Sequence, residues 1–393
     1  MSNIFNMVSE ETFSEKMDTQ NQFLAALVSA QGGSLKPTAW SDVQAIVRAG
    51  LAPRVFAIGD QLVCNKSSVQ LVWDIIGIDH DTPADPQFTH SLTLQLHDCY
   101  KDTVQFDREE AFYYCEAELP AGTYYITVGA NWGTYCKLNE TYMFTLTKPV
   151  PAGGQLVGFY RMPDTAPSTW KVQSYASATS TTVIEEVAVT AGSSGTSLGT
   201  LLPAGDFANN RNSLHRLAYG SNNYGESAMR QFLNSKGAAG TFWTPQTKFD
   251  RPPTWLATLP GWMNGMDEDF LAVLGKTHIV VSRNTVCDGG GSDEFDDTFF
   301  LLSRREAYAG NEVASVIEGE PYPYYSDYSD LSAAGTGNDT NRIKYRNGSA
   351  QYWWLRSPNA GYGSGVRLIN PAGNLGNVSA YISHGVAPAC NII

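Results

Sequence analysis

Six histidines and one acidic loop are the first places in this chain where chemistry could be done. His80, His90 and His97 fall in a stretch that also holds Asp79, Asp81 and Asp85, while His215, His278 and His384 stand apart. Histidine beside aspartate serves acid–base or metal chemistry. These spacings match no metal-ligand pattern, and a surface loop or strand face accounts for them as well. The run from Asp288 to Asp297, DGGGSDEFDD, suggests calcium. It lacks the order of acids, glycine and closing glutamate of an EF-hand, so it reads as a solvated acidic loop. Glu185 and Glu186 lie in a strand-like run and mark an exposed edge. No G-x-S-x-G elbow, Walker loop or H-E-x-x-H is present. The expectation is therefore no catalytic residue, no metal site and no cofactor.

The C-terminal segment YWWLRSPNAGYGSGVRLINPAGNLGNVSAYISHGVAPACNII carries a different signal. Of the 26 residues from Asn359 to His384, 14 are Asn, Gly, Ser or Tyr, and only Arg367 is charged. Tyrosine offers large contact area at low entropic cost, and Asn and Ser offer adaptable hydrogen bonds, which is the composition of antibody binding loops. A Gly/Asn-rich region of β-turns has the same composition. Interleaved with these are residues of structural type: Trp353, Trp354, Leu355, Val366 and Val386.

Bulk properties narrow the partners. The 393 residues include 26 basic and 39 acidic side chains, a net charge of −13, so the basic stripe that a nucleic-acid binder needs is missing. No stretch nears eighteen apolar residues, and no membrane span is expected. The start lacks the basic and apolar regions of a Sec signal peptide. The six cysteines (Cys64, Cys99, Cys115, Cys136, Cys287, Cys390) show no C-x-x-C spacing and read as reduced core residues.

Three parts would position these residues in an α+β multidomain chain. Residues 1–52 read as two short helices. Ser9 caps the first, whose Phe13, Met17, Gln20, Leu24 and Leu27 form a two-heptad seam suited to packing on its own chain or to a homo-oligomer contact. The second opens on a capping box, Ser41-Asp42-Val43-Gln44, and closes at Gly50. Residues 53–150 switch to period two. Leu92, Leu94 and Leu96 alternate with polar residues, and Gln61–Cys64, Gln70–Ile76, Thr123–Val128 and Tyr142–Leu146 are strand-like, so an antiparallel β-sandwich or jelly-roll-like module is expected. The run Pro149-Val150-Pro151-Ala152-Gly153-Gly154 marks a boundary. Residues 151–393 mix short helices at Ser227–Leu233 and Asp267–Leu274 with strands and long loops, and contain the variable region at about 350–390.

WWLRSP, followed by VR and GVAPAC, resembles the variable proteins of diversity-generating retroelements, of the gut bacterial and prophage branch. WSDVQAIVRAGLAP, LVWDIIGIDHDTPADP, GSNNYGESAMRQFLN and FFLLSRREAY share the resemblance. It implies a C-terminal C-type-lectin fold of the formylglycine-generating-enzyme type whose ligand site is rewritten by adenine-directed mutagenesis of Asn codons. The implied binding face is Gly361, Tyr362, Ser364, Gly365, Leu368, Asn370, Asn374, Gly376, Asn377, Val378, Ser379, Tyr381, Ile382 and His384. Trp353, Trp354, Leu355, Arg356, Val366 and Val386 are its implied rigid support. Val378 and Ile382 also read as core, and Asn359 and Asn374 as turn residues. Calcium lectin motifs are missing, and Cys287 and Cys390 give no sign of an oxidase pair. The implied partner is a cell-surface protein or glycan, met from a phage tail tip or a bacterial surface. The alternatives are a tail-associated glycan-processing enzyme and a structural virion or pilus-tip protein.

Overall fold

The computed structural model describes residues 39–131, 134–158, 165–201, 210–308, 310–325 and 340–393. It is mostly β with few helices. The seam of Phe13 to Leu27 lies outside the described residues. Among those described, no helix is long and apolar enough to cross a membrane.

Two large hydrophobic cores organise the chain. One draws on residues from Val43 to Phe106 and again from Tyr224 to Ile392; the other runs from Phe112 to Tyr219. The chain thus leaves the first body near Phe106, builds the second, and returns after Tyr219. These cores cut across the expected boundaries at 52/53 and 150/151. Sequence periodicity marks strands but not their partners, and here the partners are distant.

In the first body, β1 (Gln61–Lys66), β2 (Val69–Ile78) and β3 (Leu92–Leu96) form an antiparallel set. The far edge of β3 pairs with β23 (Ala389–Ile392), which also pairs β13 (Leu274–Gly275) and β16 (Phe299–Phe300). All five residues of β3 are buried, although the alternation at Leu92, Leu94 and Leu96 suggests one wet face. Thr93 and Gln95 are satisfied instead by Asp81 (2.8 Å) and the Ala387 carbonyl (3.1 Å). The tyrosine-rich loop supplies the rest of that cover: Tyr322 donates to Asp81, Tyr324 to Asp74 and Tyr325 to Gln95.

Helix α1 (Trp40–Arg48) packs Val43 and Val47 into this core. Its expected capping box is not made: the helix starts before Ser41, with Ala39 at the N-cap, and Gln44 donates to the main-chain oxygen of Ile393 at 2.8 Å. A four-residue helix, α2 (Ala52–Val55), follows.

The second body contains β6 (Gly122–Val128) and β7 (Thr141–Leu146) in one sheet, extended by β11 (Thr190–Ala191) on β7 and by β12 (Thr196–Leu201) parallel to β6. Its companion sheet runs β10 (Val183–Ala188), β9 (Lys171–Tyr175), β8 (Gln155–Val157), β5 (Tyr113–Tyr114). Glu185 and Glu186 lie on its edge strand. Helix α3 (Asn210–Tyr219) lays Leu214, Leu217 and Ala218 on the same core. Gly220, at φ +81°, ends it where a Cβ would press on the Asp107 and Arg108 carbonyls.

The return segment is built from short pieces. Helix α4 (Ala228–Leu233) is capped by Ser227, which accepts from Arg230 N. In α5 (Glu268–Val273) Asp267 makes no such cap; it accepts from Asn65 N at 2.7 Å and so ties the helix to β1. The hairpin β14 (Thr277–Ser282) and β15 (Ser292–Asp297) corrects the expected acidic loop, half of which is strand. After α6 (Arg304–Tyr308) come the hairpin β17 (Lys344–Arg346) and β18 (Ser349–Gln351) and a three-stranded sheet. That sheet is β19 (Trp353–Pro358), β20 (Gly365–Ile369) and β21 (Leu375–Ser379), while β22 (Ser383–His384) pairs β4 (Val104–Gln105). All six cysteines are buried and unpaired.

Candidate binding surface

All six residues of β19 are buried. Trp353 donates to the Arg342 carbonyl and Trp354 to the Val104 carbonyl, each at 2.9 Å. Arg356 forms a buried two-point pair with Glu306, at 2.6 and 2.7 Å, and a third bond to the Leu301 carbonyl. Burial opposes the charge on Arg356, but Glu306 outweighs it and raises its affinity for the proton. Val366 and Val386 are also fully buried.

Against this strand lies the β20–β21 hairpin, in the register Gly365↔Ser379, Val366↔Val378, Arg367↔Asn377, Leu368↔Gly376 and Ile369↔Leu375. Directly opposed residues share a face, so Val366 and Leu368 point inward and Arg367 and Asn377 outward. Glu312 grips Arg367 through both carboxylate oxygens at 2.7 Å, takes a bond from Arg304 at 3.0 Å, and accepts from Ala360 N at 2.9 Å. Burial opposes the charge on Glu312, but Arg367 and these donors hold its carboxyl below the usual range.

The loop ahead of β20 is pinned from beneath. Asn222, fully buried, donates its amide to the carbonyls of Tyr362 (2.6 Å), Gly365 (2.8 Å) and Asn359 (3.3 Å). Its oxygen accepts from Asn284 at 2.7 Å. Thr285 adds two 2.9 Å bonds to the Ala360 carbonyl, from its amide and its hydroxyl.

On this base stands an aromatic cluster shared between α3 and the hairpin. Tyr362, 52% exposed, meets His215 edge-on at 6.4 Å; His215 lies 6.1 Å from Tyr219; Tyr219 stacks on Tyr381 at 5.7 Å. The Tyr381 amide donates to the Tyr219 carbonyl at 2.9 Å.

The expected face is only partly assembled. Gly361, Tyr362, Asn377, Ser379 and Tyr381 reach the surface around this cluster. Ser364, Gly365 and Leu368 are buried and do not. Val378 packs on the core, and a Cβ at Gly376 would stand 3.0 Å from Leu368. Asn370 and Asn374 sit at the hairpin tip, about 13 Å along the strands. There Asn370 accepts from Ala372 N and Asn374 N as a turn residue, and Gly373 takes φ +80°. Ile382 is in the turn after β21, its amide on the Ser379 carbonyl. His384 belongs to a separate contact, 5.1 Å from both Tyr352 and Trp354, where burial lowers its proton affinity.

Other candidates are committed elsewhere. His80 pairs with Asp81, His90 with Asp79 and His97 with Asp74, at 3.0, 3.1 and 2.8 Å. The acidic groove lined by Glu226, Asp288, Asp293 and Glu294 has a basic side chain beside every carboxylate. Arg216 takes Glu226 and Asp288, Arg283 faces Asp293, and His278 faces Glu294. Among the described residues no group of three or more His, Cys, Asp or Glu is arranged to hold a metal ion.

Sequence reasoning missed Asn222, Glu312, His215 and Tyr219. The GSNNYGES run marks the loop of Asn222 without revealing what it holds, and nothing near Glu312 marks it out.

Residues 198–393 match the family model of a domain of unknown function (DUF6273). The match includes the whole hairpin and its support but not β1–β3, with which its last strand shares a sheet. No curated protein and no solved structure matches the chain.

Proposed function

We propose that this chain is a hypervariable ligand-binding protein that presents a diversified recognition face on a C-type-lectin-like scaffold. Its target is a protein or glycan on a cell surface, approached from a phage tail tip or a bacterial surface. The observation that carries this reading is the aromatic cluster of Tyr362, His215, Tyr219 and Tyr381, with Tyr362 exposed and the other three half-buried, beside a hairpin paired to a fully buried strand. Tyrosines on a rigid base contribute binding area with little entropy to lose. Polar and glycine positions around them change without touching the core, which is the division of labour that an editable site requires. In the acidic groove Glu226 and Asp288 are already engaged by Arg216, which favours the aromatic face as the recognition surface. A short N-terminal seam would add multivalency if the chain assembles with copies of itself.

The test is binding of the labelled full chain to a panel of bacterial strains, measured by flow cytometry. The reading expects strain-selective binding that falls at least about tenfold in a Tyr362→Ser/Tyr381→Ser double variant of unchanged melting temperature. Binding that survives the double variant, or binding to none of the strains, overturns it.

A further inference from the structure

Away from the variable segment, a groove of about 240 Å³ opens between the start of β2, the Leu96–Lys101 segment and the β17–β18 hairpin. Its rim carries Tyr345, 44% exposed, and Lys101, whose ammonium lies 5.4 Å from the centre of the Tyr100 ring. Arg346 lines it as well. Its Nη1 reaches only the Lys101 carbonyl, at 3.4 Å, and its buried Nε has no hydrogen-bond partner among the described residues.

Two more cations lie beneath. Lys344 is buried under the groove and donates to the carbonyls of Leu96 and His97 at 2.6 and 2.9 Å. Lys66 is buried beside Trp262, itself in edge contact with Tyr100, and donates to carbonyls of Trp262 and Asn264. Carbonyl oxygens satisfy these ammonium groups as donors but do not cancel their charge, and neither lysine has a carboxylate in salt-bridge contact among the described residues. Three carboxylates stand nearby: Asp98, which accepts from Tyr345 N, Asp102, which pairs with Lys101, and Asp74, which is hydrogen-bonded to His97. In a chain of net charge −13, the four cations here outnumber the three carboxylates Asp74, Asp98 and Asp102, which leaves a small local excess of positive charge. Burial, with Lys101 nearby, pushes the Lys66 ammonium down to about 8, and burial also lowers Lys344.

We infer that this groove is a second binding site, for a carboxylated sugar. Arg346 offers a guanidinium to a carboxylate, Lys101 adds charge at the rim, and the exposed Tyr345 ring offers an apolar face for a pyranose. An inorganic anion would use the cations but leave the tyrosine idle, and a neutral sugar would leave Arg346 and the buried lysines uncompensated.

The experiment is isothermal titration of the full chain with tetragalacturonate and with N-acetylneuraminic acid, alongside maltotetraose and inorganic phosphate. At least one acidic sugar is expected to bind, and Arg346→Gln and Lys101→Met each weaken it about tenfold. Raising NaCl from about 50 to about 300 mM should weaken it several-fold. Tyr362→Ala should leave it unchanged, which separates this site from the aromatic face. No heat with either acidic sugar, equal affinity for maltotetraose or phosphate, or indifference to both substitutions overturns the inference. Should Arg346→Gln fail to fold, the exposed Lys101→Met decides alone.

Discussion

The side-chain amide of Asn222 donates to the Tyr362 carbonyl at 2.6 Å, so a fully buried residue fixes the backbone beneath the most exposed tyrosine of the candidate face. Asn222→Ala removes the amide from the Tyr362 carbonyl and takes one of two donors from the carbonyls of Gly365 and Asn359, which keep the amides of Asn359 and Tyr362. The expected loss is about 2–3 kcal/mol in urea unfolding, with faster amide exchange across residues 359–365. A loss below about 0.5 kcal/mol would mean that the loop is held by other bonds.

Tyr362 and Tyr381 should separate stability from recognition. Tyr362→Ala removes a ring that is half in solvent and should change stability by no more than about 0.5 kcal/mol. Tyr381→Ala also breaks the stack on Tyr219 and should cost about 1 kcal/mol. Thermal melts of both variants check this order.

Arg356 is expected to be structural. Arg356→Met strands Glu306 in the core, and removing one partner of a buried pair costs about 3–5 kcal/mol. Arg356→Met/Glu306→Leu should recover part of that, because Glu306 is no longer stranded; the buried Glu318 still loses Arg356 as its counter-charge and limits the recovery. A double variant no better than the single one would show that the pair also sets the packing of β19.

Asp107 carries a pH dependence of definite sign. Burial pushes its carboxyl well above the usual range, and Asp250 and Glu110 push the same way. The folded state therefore keeps a proton that the unfolded chain releases above about pH 4, and stability falls as pH rises from there toward the folded value. Asp107→Asn removes this slope, which approaches about 1.4 kcal/mol per pH unit. The variant should gain on the wild type from about pH 4 upward, as read from unfolding at several pH values. A pH-independent difference would contradict the assignment.

Much of the fold was legible where one physical rule acts alone. Period-two alternation located β1, β2, β3, β6 and β7 to within a few residues, because strand faces repeat with that period. It did not reveal that β3 is buried on both faces, since that depends on the tyrosine-rich loop, whose Tyr325 reaches Gln95 from 230 residues further on. Ser41 and Asp267 have the residue types of caps, yet neither caps: the first helix starts at Trp40, ahead of Ser41, and Asp267 is drawn to Asn65. The acidic run looked solvated because charge alone does not show a partner: Asp288 and Asp297 are buried against Arg216 and Arg230. At the candidate site, residue type identified the tyrosines. Ser364 and Leu368 were misplaced, because strand direction and loop anchoring decide which side faces out. Asn222 and Glu312 act through backbone groups of another segment, a relation that no spacing along the chain encodes.

The central claim is that a diversified face sits on an unchanging base, and deep sequencing of the gene segment encoding residues 350–390 across a native population tests it most directly. The account predicts substitutions concentrated at Gly361, Tyr362, Asn377, Ser379 and Tyr381, at adenine-derived codon positions. Trp353, Trp354, Arg356 and Val386 should be spared, and the buried Ser364 and Leu368 restricted to side chains of similar size. Low and uniform variation across the segment, or changes as frequent at Trp353 as at Tyr362, would contradict it.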